Sequence, residues 1–336
     1  MPTSAAPLLR VTPWGLYCEA GDFYIDPWRP VDRAIITHAH SDHARAGSAS
    51  YLAADEGASI LRHRLGAGAK VEGIAYGRAR AIHGVRVSLH PAGHIRGSAQ
   101  VRVEHRGQVW VVTGDYKRAD DPTCTPFEAV PCHTLITEAT FAFPVYRWAP
   151  TAAVVRDVVA WYRECVSLGQ TAVLYTYSLG KAQRLLAELG PFVDGPIWVH
   201  GAIEPINAIY RAGGVELPAT QLVRESPQGE KISSALVLAP PSAGTSAWMR
   251  RFREPETAFA SGWMRLRGTR RRRALDRGFA ISDHVDWNDL LRTIEESGAS
   301  RVLATHGDSV ALVRLLRERG LDASALETPF TGEDAE

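Results

Sequence analysis

The sequence predicts an α/β fold, and three observations support this. The first third is broken into short apolar runs of strand length, separated by Gly and Pro. From about residue 150, strand-like runs alternate with apolar residues at helical spacing, the pattern of a mainly parallel sheet covered by helices. The chain has 336 residues, of which 45% are apolar. That is enough for one large domain or two intimate ones, with a core that needs no staples.

Taken in order, FYID (23–26), RAIITH (33–38), VRVSLH (85–90), AQVRVEH (99–105) and QVWVVTGD (108–115) read as strands. The last two form a hairpin about Gly107, and HTLITEA (133–139) continues the pattern. Residues 151–169 carry a helical period that stops at Gly169. TAVLYTY (171–177) is a strand and LGKAQRLLAEL (179–189) a helix. PIWVH (196–200) and ALVLAP (235–240) are further strands, each followed by a helical candidate. At the end come a strand at 277–282, a helix at 287–298, a strand at 301–307 and a helix at 310–320. Two prolines in PVYRWAP (144–150) mark a soft boundary.

Charge excludes a globally basic binder and a disordered acidic chain: 38 Lys and Arg oppose 37 Asp and Glu. Arg outnumbers Lys 34 to 4, a skew that composition bias alone can produce. The exception is local. Arg250 to Arg277 holds ten Arg and three acids, a net of +7 that leaves −6 for the remainder. Such a concentration reads either as a footprint for a polyanion or as a solvated loop. No secretory signal and no run of the roughly 18 apolar residues of a membrane helix is visible. Four scattered cysteines without a CxxC spacing read as free thiols in a reducing cytoplasm.

The strongest signal is His38-Ala39-His40-Ser41-Asp42-His43, at the end of the apolar run AIIT. A lone His is more often a core or surface residue. Three imidazoles and a carboxylate within six residues, where α/β proteins carry their chemistry, point to a metal site for zinc, manganese or iron.

This H-x-H-x-D-H pattern resembles the metallo-β-lactamase fold. Asp26 in FYIDP, His94 in PAGHIRGSAQ and Asp115 in VVTGDYKR then match its other motifs in order. Glu138 in LITEATF, His284 in SDHVDW and His306 in LATHGD resemble the three further motifs of the β-CASP nucleases, the nucleic-acid branch of that fold. The phrase ASGWMRLRGTRRRRALDRGFAISDHVDW (260–287) is similar to the bacterial DNA-ligase-associated exonucleases. The resemblance covers almost the whole chain. It implies an αββα sandwich in two parts, 1–148 and 276–330, with an inserted α/β β-CASP domain at 149–275.

It also implies roles. His38, His40 and His94 would hold one divalent ion, zinc or manganese. Asp42, His43 and His306 would hold a second, and Asp115 would bridge the two. Asp26 is expected to orient a ligand imidazole, its alternative being a turn residue before Pro27. Two such ions polarise a phosphate and lower the pKa of a bound water. His284 would protonate the leaving alkoxide, paired with Glu138 or, as a lesser rival, Asp286.

Ser178, Gly180 and Lys181 sit where a strand meets a helix and would contact phosphate; Ser178 could instead only cap the helix. Arg270, Arg271, Arg272 and Arg273 would track the backbone, and Trp263 and Trp287 are stacking or packing residues. The expected activity is DNA exonuclease digestion in repair, 5′-to-3′, in the cytoplasm, alongside an ATP-dependent DNA ligase and a helicase. An RNA nuclease of the same branch and a small-molecule metallohydrolase are the alternatives.

Overall fold

β-Branched and aromatic residues at alternate positions make strands, because the two faces of a pleated strand meet different surroundings. The structure, a computed structural model, describes residues 7–227, 229–266 and 276–326. It divides into two units. The first takes 7–120, 124–145 and 284–326 of the described residues; the second takes 121–123 and the described part of 146–283.

The first unit opens with β1 (Arg10–Thr12), β2 (Gly15–Cys18), β3 (Phe23–Ile25), β4 (Arg33–Ile35) and β5 (Ser50–Ala54). Helix α1 (Asp55–Leu65) follows, with acids in its first turn and bases in its last, matching the helix dipole. Then come β6 (Val71–Ile74), β7 (Ala79–Ile82), β8 (Val85–Pro91), β9 (Ala99–His105), β10 (Gln108–Val112) and β11 (Thr134–Glu138). At the expected hairpin, His105 pairs with Gln108, and both turn residues, Arg106 and Gly107, have positive φ. That backbone suits the right-handed twist of the flanking strands.

The second unit contains α2 (Thr151–Ser167), β12 (Thr171–Tyr175), α3 (Lys181–Leu189), β13 (Ile197–Val199), α4 (Glu204–Ala212), β14 (Thr220–Leu222), β15 (Leu236–Ala239), β16 (Pro255–Ala260) and β17 (Arg277–Phe279). Its six strands are all parallel, in the order β14-β13-β15-β12-β16-β17. Val158, Trp161, Leu185 and Leu186 of α2 and α3 fill one face; Tyr175, Phe252, Phe259 and Met264 fill the other. The helix expected after β15 is absent. Two short 3-10 turns, Pro241–Thr245 and Ala247–Arg251, stand there. Ser246 is extended between them and its hydroxyl accepts the Trp248 N–H (3.2 Å), which starts a second turn instead of continuing the first.

The chain returns through α5 (Trp287–Ser297), β18 (Arg301–Thr305), α6 (Val310–Glu318) and β19 (Asp322–Ala325). In the first unit, β1 to β6 form one sheet in chain order, and the second sheet runs β19-β18-β11-β10-β9-β8-β7. Inward residues of both sheets (Phe23, Ile25, Ile35, Leu52 against Val87, Leu89, Val101, Val112) make one core. The outer face of the second sheet packs on α5 and α6 through Leu290, Ile294, Leu312 and Leu316. Asp286 caps α5 by accepting from the Asp289 N–H (2.9 Å), and Gly298 ends it in the left-handed conformation. Trp287 is a core residue of this layer. Among the described residues no helix is long and apolar enough to cross a membrane.

Leu89 lies between the two sheets with none of its surface exposed. Leu89→Ala is expected to lower stability by about 2–5 kcal/mol, read from the urea midpoint of metal-free protein.

Candidate metal centre

The loop after β4 leaves the sheet one residue after Ile35 for a physical reason. The Asp26 carboxylate takes the Thr37 N–H (2.8 Å), so that donor is lost to strand pairing. The chain then turns on the His40 carbonyl, which accepts from His43 N–H (3.2 Å) and Ala44 N–H (2.8 Å). His38 and His43 are buried, and His40 is half-buried. The loop between β8 and β9 carries His94, fixed by Ser98, whose hydroxyl accepts the His94 N–H at 3.0 Å. Asp115 follows β10, Glu138 ends β11, and His306 follows β18. All of these positions are at C-terminal strand ends.

Glycine is required at one approach. Gly114 has φ +56°, and a Cβ there would stand 2.6 Å from Thr37 Cβ. It lets the Asp115 segment close on the histidine loop.

The side chains converge. His38 Nε2 and His94 Nε2 each lie 3.1 Å from His40 Nδ1. The Asp115 carboxylate meets five imidazoles: His38 and His43 Nε2 at 3.5 Å, His306 Nδ1 at 3.8 Å, His94 Nε2 at 3.9 Å and His284 Nδ1 at 4.0 Å. These gaps are longer than hydrogen bonds. Two ligands on one ion at about 2.0–2.2 Å stand roughly that far apart. Ligand atoms of His38, His40, His94 and Asp115 form one cluster, those of His43, Asp115 and His306 a second, and those of Asp115, Glu138 and His284 a third. Asp42 lies 3.6 Å from His43 Nε2, on the side of the second cluster.

The donor set fits divalent cations. His43 Nε2 is buried with no hydrogen-bond partner among the described residues and faces two carboxylates. A buried nitrogen between two carboxylates calls for positive charge, either its own proton or a bound cation. Without metal, burial pushes His38 well below the ordinary imidazole range, and the neighbouring His43 adds to this. For His43 burial also pulls down, but Asp115, Asp42 and Asp26 outweigh it and raise it well above that range. Burial pushes Asp115 up, and the facing His43 and His284 overcome it, holding it well below the usual carboxylate range.

Asp26 accepts from His43 Nδ1 at 2.7 Å and from the Thr37 hydroxyl at 2.6 Å. Its own φ is +45°, in the left-handed region that Asp enters more readily than most residues, and both its oxygens are engaged, which a turn residue before a proline does not require. His284 Nδ1 lies 2.8 Å from Glu138 Oε2, while Glu138 Oε1 accepts the Tyr116 N–H at 2.7 Å. Burial pushes the Glu138 carboxyl up, and His284 pulls against it. Asp286, spent on capping α5, is not His284's partner in these contacts. The hydroxyl of Thr37 and the ring of Phe141, 5.9 Å from that of His284, were not singled out from sequence. Both are ordinary strand-end residues there.

The second unit holds the expected phosphate contacts. Ser178 is half-buried and does not cap α3; Gly180 does, its N–H bound by the Gln183 side chain at 2.7 Å. Lys181 is buried, with its ammonium 3.8 Å from Asp283 and over the Tyr177 ring. An ammonium neutralised internally is not a surface contact for phosphate. Arg270, Arg271, Arg272 and Arg273 lie outside the described residues. Trp263 is half-buried against Tyr146.

No protein-family model matches the chain. It is 35% identical over 327 residues, 95% of its length, to a protein of Opitutus terrae named "Probable DNA ligase". It is 27% identical over 165 residues, 48% of its length, to the Endoribonuclease YSH1 of Gibberella zeae. It is 24% identical over 211 residues, 54% of its length, to an RNase J-like protein of Methanocaldococcus jannaschii. The chain spans only 31%, 19% and 50% of these relatives' own lengths. A crystal structure of an Enterococcus faecalis protein of unknown function superposes with a TM-score of 0.54 at 12% identity, covering 81% of this chain and 74% of that one. At that identity it speaks for the fold alone.

Imidazoles bind cations only when deprotonated, and His43 is held well above the ordinary imidazole range. Mn²⁺ affinity is therefore expected to be full only above that raised value and to start falling before the pH has dropped to the ordinary range of about 6.5. Calorimetric titration across pH 5.5–8 checks this; a flat profile would remove the imidazoles from the ligand set.

Proposed function

The chain belongs to the metallo-β-lactamase/β-CASP nuclease family, and from that premise we propose that it is a two-metal-dependent DNA exonuclease acting in repair, 5′-to-3′. The observation that carries this reading is the shared Asp115, with imidazole clusters on both sides, in a chain that matches a ligase-named relative over 95% of its length. The first unit is then the metallo-β-lactamase sandwich and the second the inserted β-CASP domain.

His38, His40 and His94 would hold one divalent ion, and Asp42, His43 and His306 a second, with the Asp115 carboxylate in reach of both sets. When bound, two such ions supply charge neutralisation on phosphate oxygens and a water of lowered pKa. The residues of the chain do the rest. Glu138 anchors His284 Nδ1, so the ring is fixed and Nε2 is the nitrogen that delivers a proton to the leaving alkoxide. Asp26 orients His43. Ser178 and the arginine-rich stretch containing Arg270, Arg271, Arg272 and Arg273 take up substrate phosphates. Lys181 acts indirectly, through Asp283.

A relative named for a DNA ligase supports work beside a DNA ligase; the ATP-dependent type of that ligase, a helicase partner and a cytoplasmic location rest on the sequence resemblance alone. A second reading, an RNA nuclease, is favoured by the similarity to YSH1 and the RNase J-like protein.

A single-stranded DNA labelled at each end separately, with a matched RNA, separates the two. With Mn²⁺ or Zn²⁺, mononucleotides are expected from the 5′ end of DNA, with RNA spared; cleavage of RNA alone sinks the DNA reading. His284→Ala is expected to slow cleavage about 10²–10⁴-fold while metal content, measured by mass spectrometry, is retained. Loss of metal would make His284 a ligand instead.

A further inference from the structure

Thr37 is buried at 1% exposure, and each of its polar groups has a defined partner. Its N–H goes to Asp26 Oδ1 (2.8 Å), and its carbonyl accepts the Ala99 N–H (2.8 Å). Its Cβ stands against Gly114, where no larger residue fits. With the backbone and Cβ held this way, the hydroxyl has little freedom. It lies 2.6 Å from Asp26 Oδ2, 3.1 Å from His38 Nδ1 and 3.4 Å from His43 Nδ1.

The direction of each bond follows from counting protons. A hydroxyl has one proton, and an ionised carboxylate can only accept. The proton of Thr37 therefore goes to Asp26, and toward His38 the oxygen can only accept. His38 must carry its proton on Nδ1, which leaves Nε2 as the lone-pair nitrogen. That Nε2 is the atom 3.1 Å from His40 Nδ1 and 3.5 Å from Asp115. Oδ2 of the same carboxylate also accepts from His43 Nδ1 at 2.7 Å, which leaves His43 Nε2 toward Asp115 and Asp42.

We propose that Thr37 is a positioning residue that joins the two donor clusters: its hydroxyl sets the tautomer of His38 in the first cluster and, by donating to Asp26 Oδ2, holds in place the carboxylate that sets His43 in the second. This rests on the ligand reading given above. It adds that the two metal positions share one orienting device and are not assembled independently. Valine in place of Thr37 keeps the shape, removes the acceptor for His38 and takes one donor from Asp26.

The experiment measures Mn²⁺ and Zn²⁺ binding to metal-stripped protein by calorimetry, without nucleic acid. Thr37→Val is expected to weaken affinity about 10–100-fold, the usual effect of removing a group that orients a metal ligand. Both binding events should weaken, and Thr37→Ser should restore both. Unchanged affinity in Thr37→Val, or equal loss in Thr37→Ser, overturns the proposal, the latter because the methyl group would then be responsible. Should Thr37→Val not fold, long-range ¹H–¹⁵N spectra of the unsubstituted metal-free protein decide. A proton on His38 Nδ1 supports the relay, and one on Nε2 overturns it. Neither readout involves cleavage, so absence of nuclease activity would sink the functional reading and leave this one standing.

Discussion

Everything in the first unit is arranged around one buried carboxylate. Asp115 draws five imidazoles from four separate loops to within 4.0 Å. Burying an anion is expensive unless cations or donors surround it. Without metal, the His43 and His284 imidazoles do this, which is why Asp115 stays ionised despite its burial. Under the ligand set proposed above, a bound cation would take over that compensation and the imidazoles would be neutral. The two facing sheets hold the loops at fixed strand ends, so the convergence depends on the core between the sheets rather than on flexible fitting.

Much of this was legible in the sequence, for reasons that differ by residue. The 38–43 cluster was visible because its ligands are adjacent along the chain. His94, Asp115, Glu138, His284 and His306 were found only through the family resemblance, since isolated acids and histidines carry no local signal. Thr37 was invisible: its role depends on Asp26, eleven residues earlier, and on a glycine that comes 77 positions later. The hairpin about Gly107 was readable from its turn. Helix α1 was missed because Gly57 interrupts its period; that glycine is needed where the backbone of Gly97 packs against it. The helix expected after β15 gave way to two short turns at Ser246, whose hydroxyl competes for a backbone N–H.

Lys181 shows how a sequence signal can mislead. A lysine at a strand–helix junction looks like a grip for phosphate. In the second unit it belongs instead to a buried ionic group with Arg184, Asp283 and Asp121. Arg184 donates to the Ser282 carbonyl (2.8 Å), Asp283 (2.9 Å) and the Thr151 hydroxyl (2.9 Å). Such clusters add little net stability over apolar packing, but removing one member leaves a buried charge uncompensated. Here they fix the segment that ends just before His284.

The chain leaves the first unit after residue 145 and re-enters it at 284. Of the clustered donor residues, His38, His40, His43, His94, Asp115 and Glu138 precede that excursion, while His284 and His306 follow it. On a ribosome, a nascent chain would therefore expose a nearly complete set of imidazoles and carboxylates long before the part that closes it. The early cluster could hold an ion, but without His284 it would lack the residue assigned to protonate the leaving group. Strand β18, seated between β11 and the edge strand β19, then arrives late and delivers His306 as it docks. Chain order thus delays assembly of the full centre until the sheet that holds it is finished.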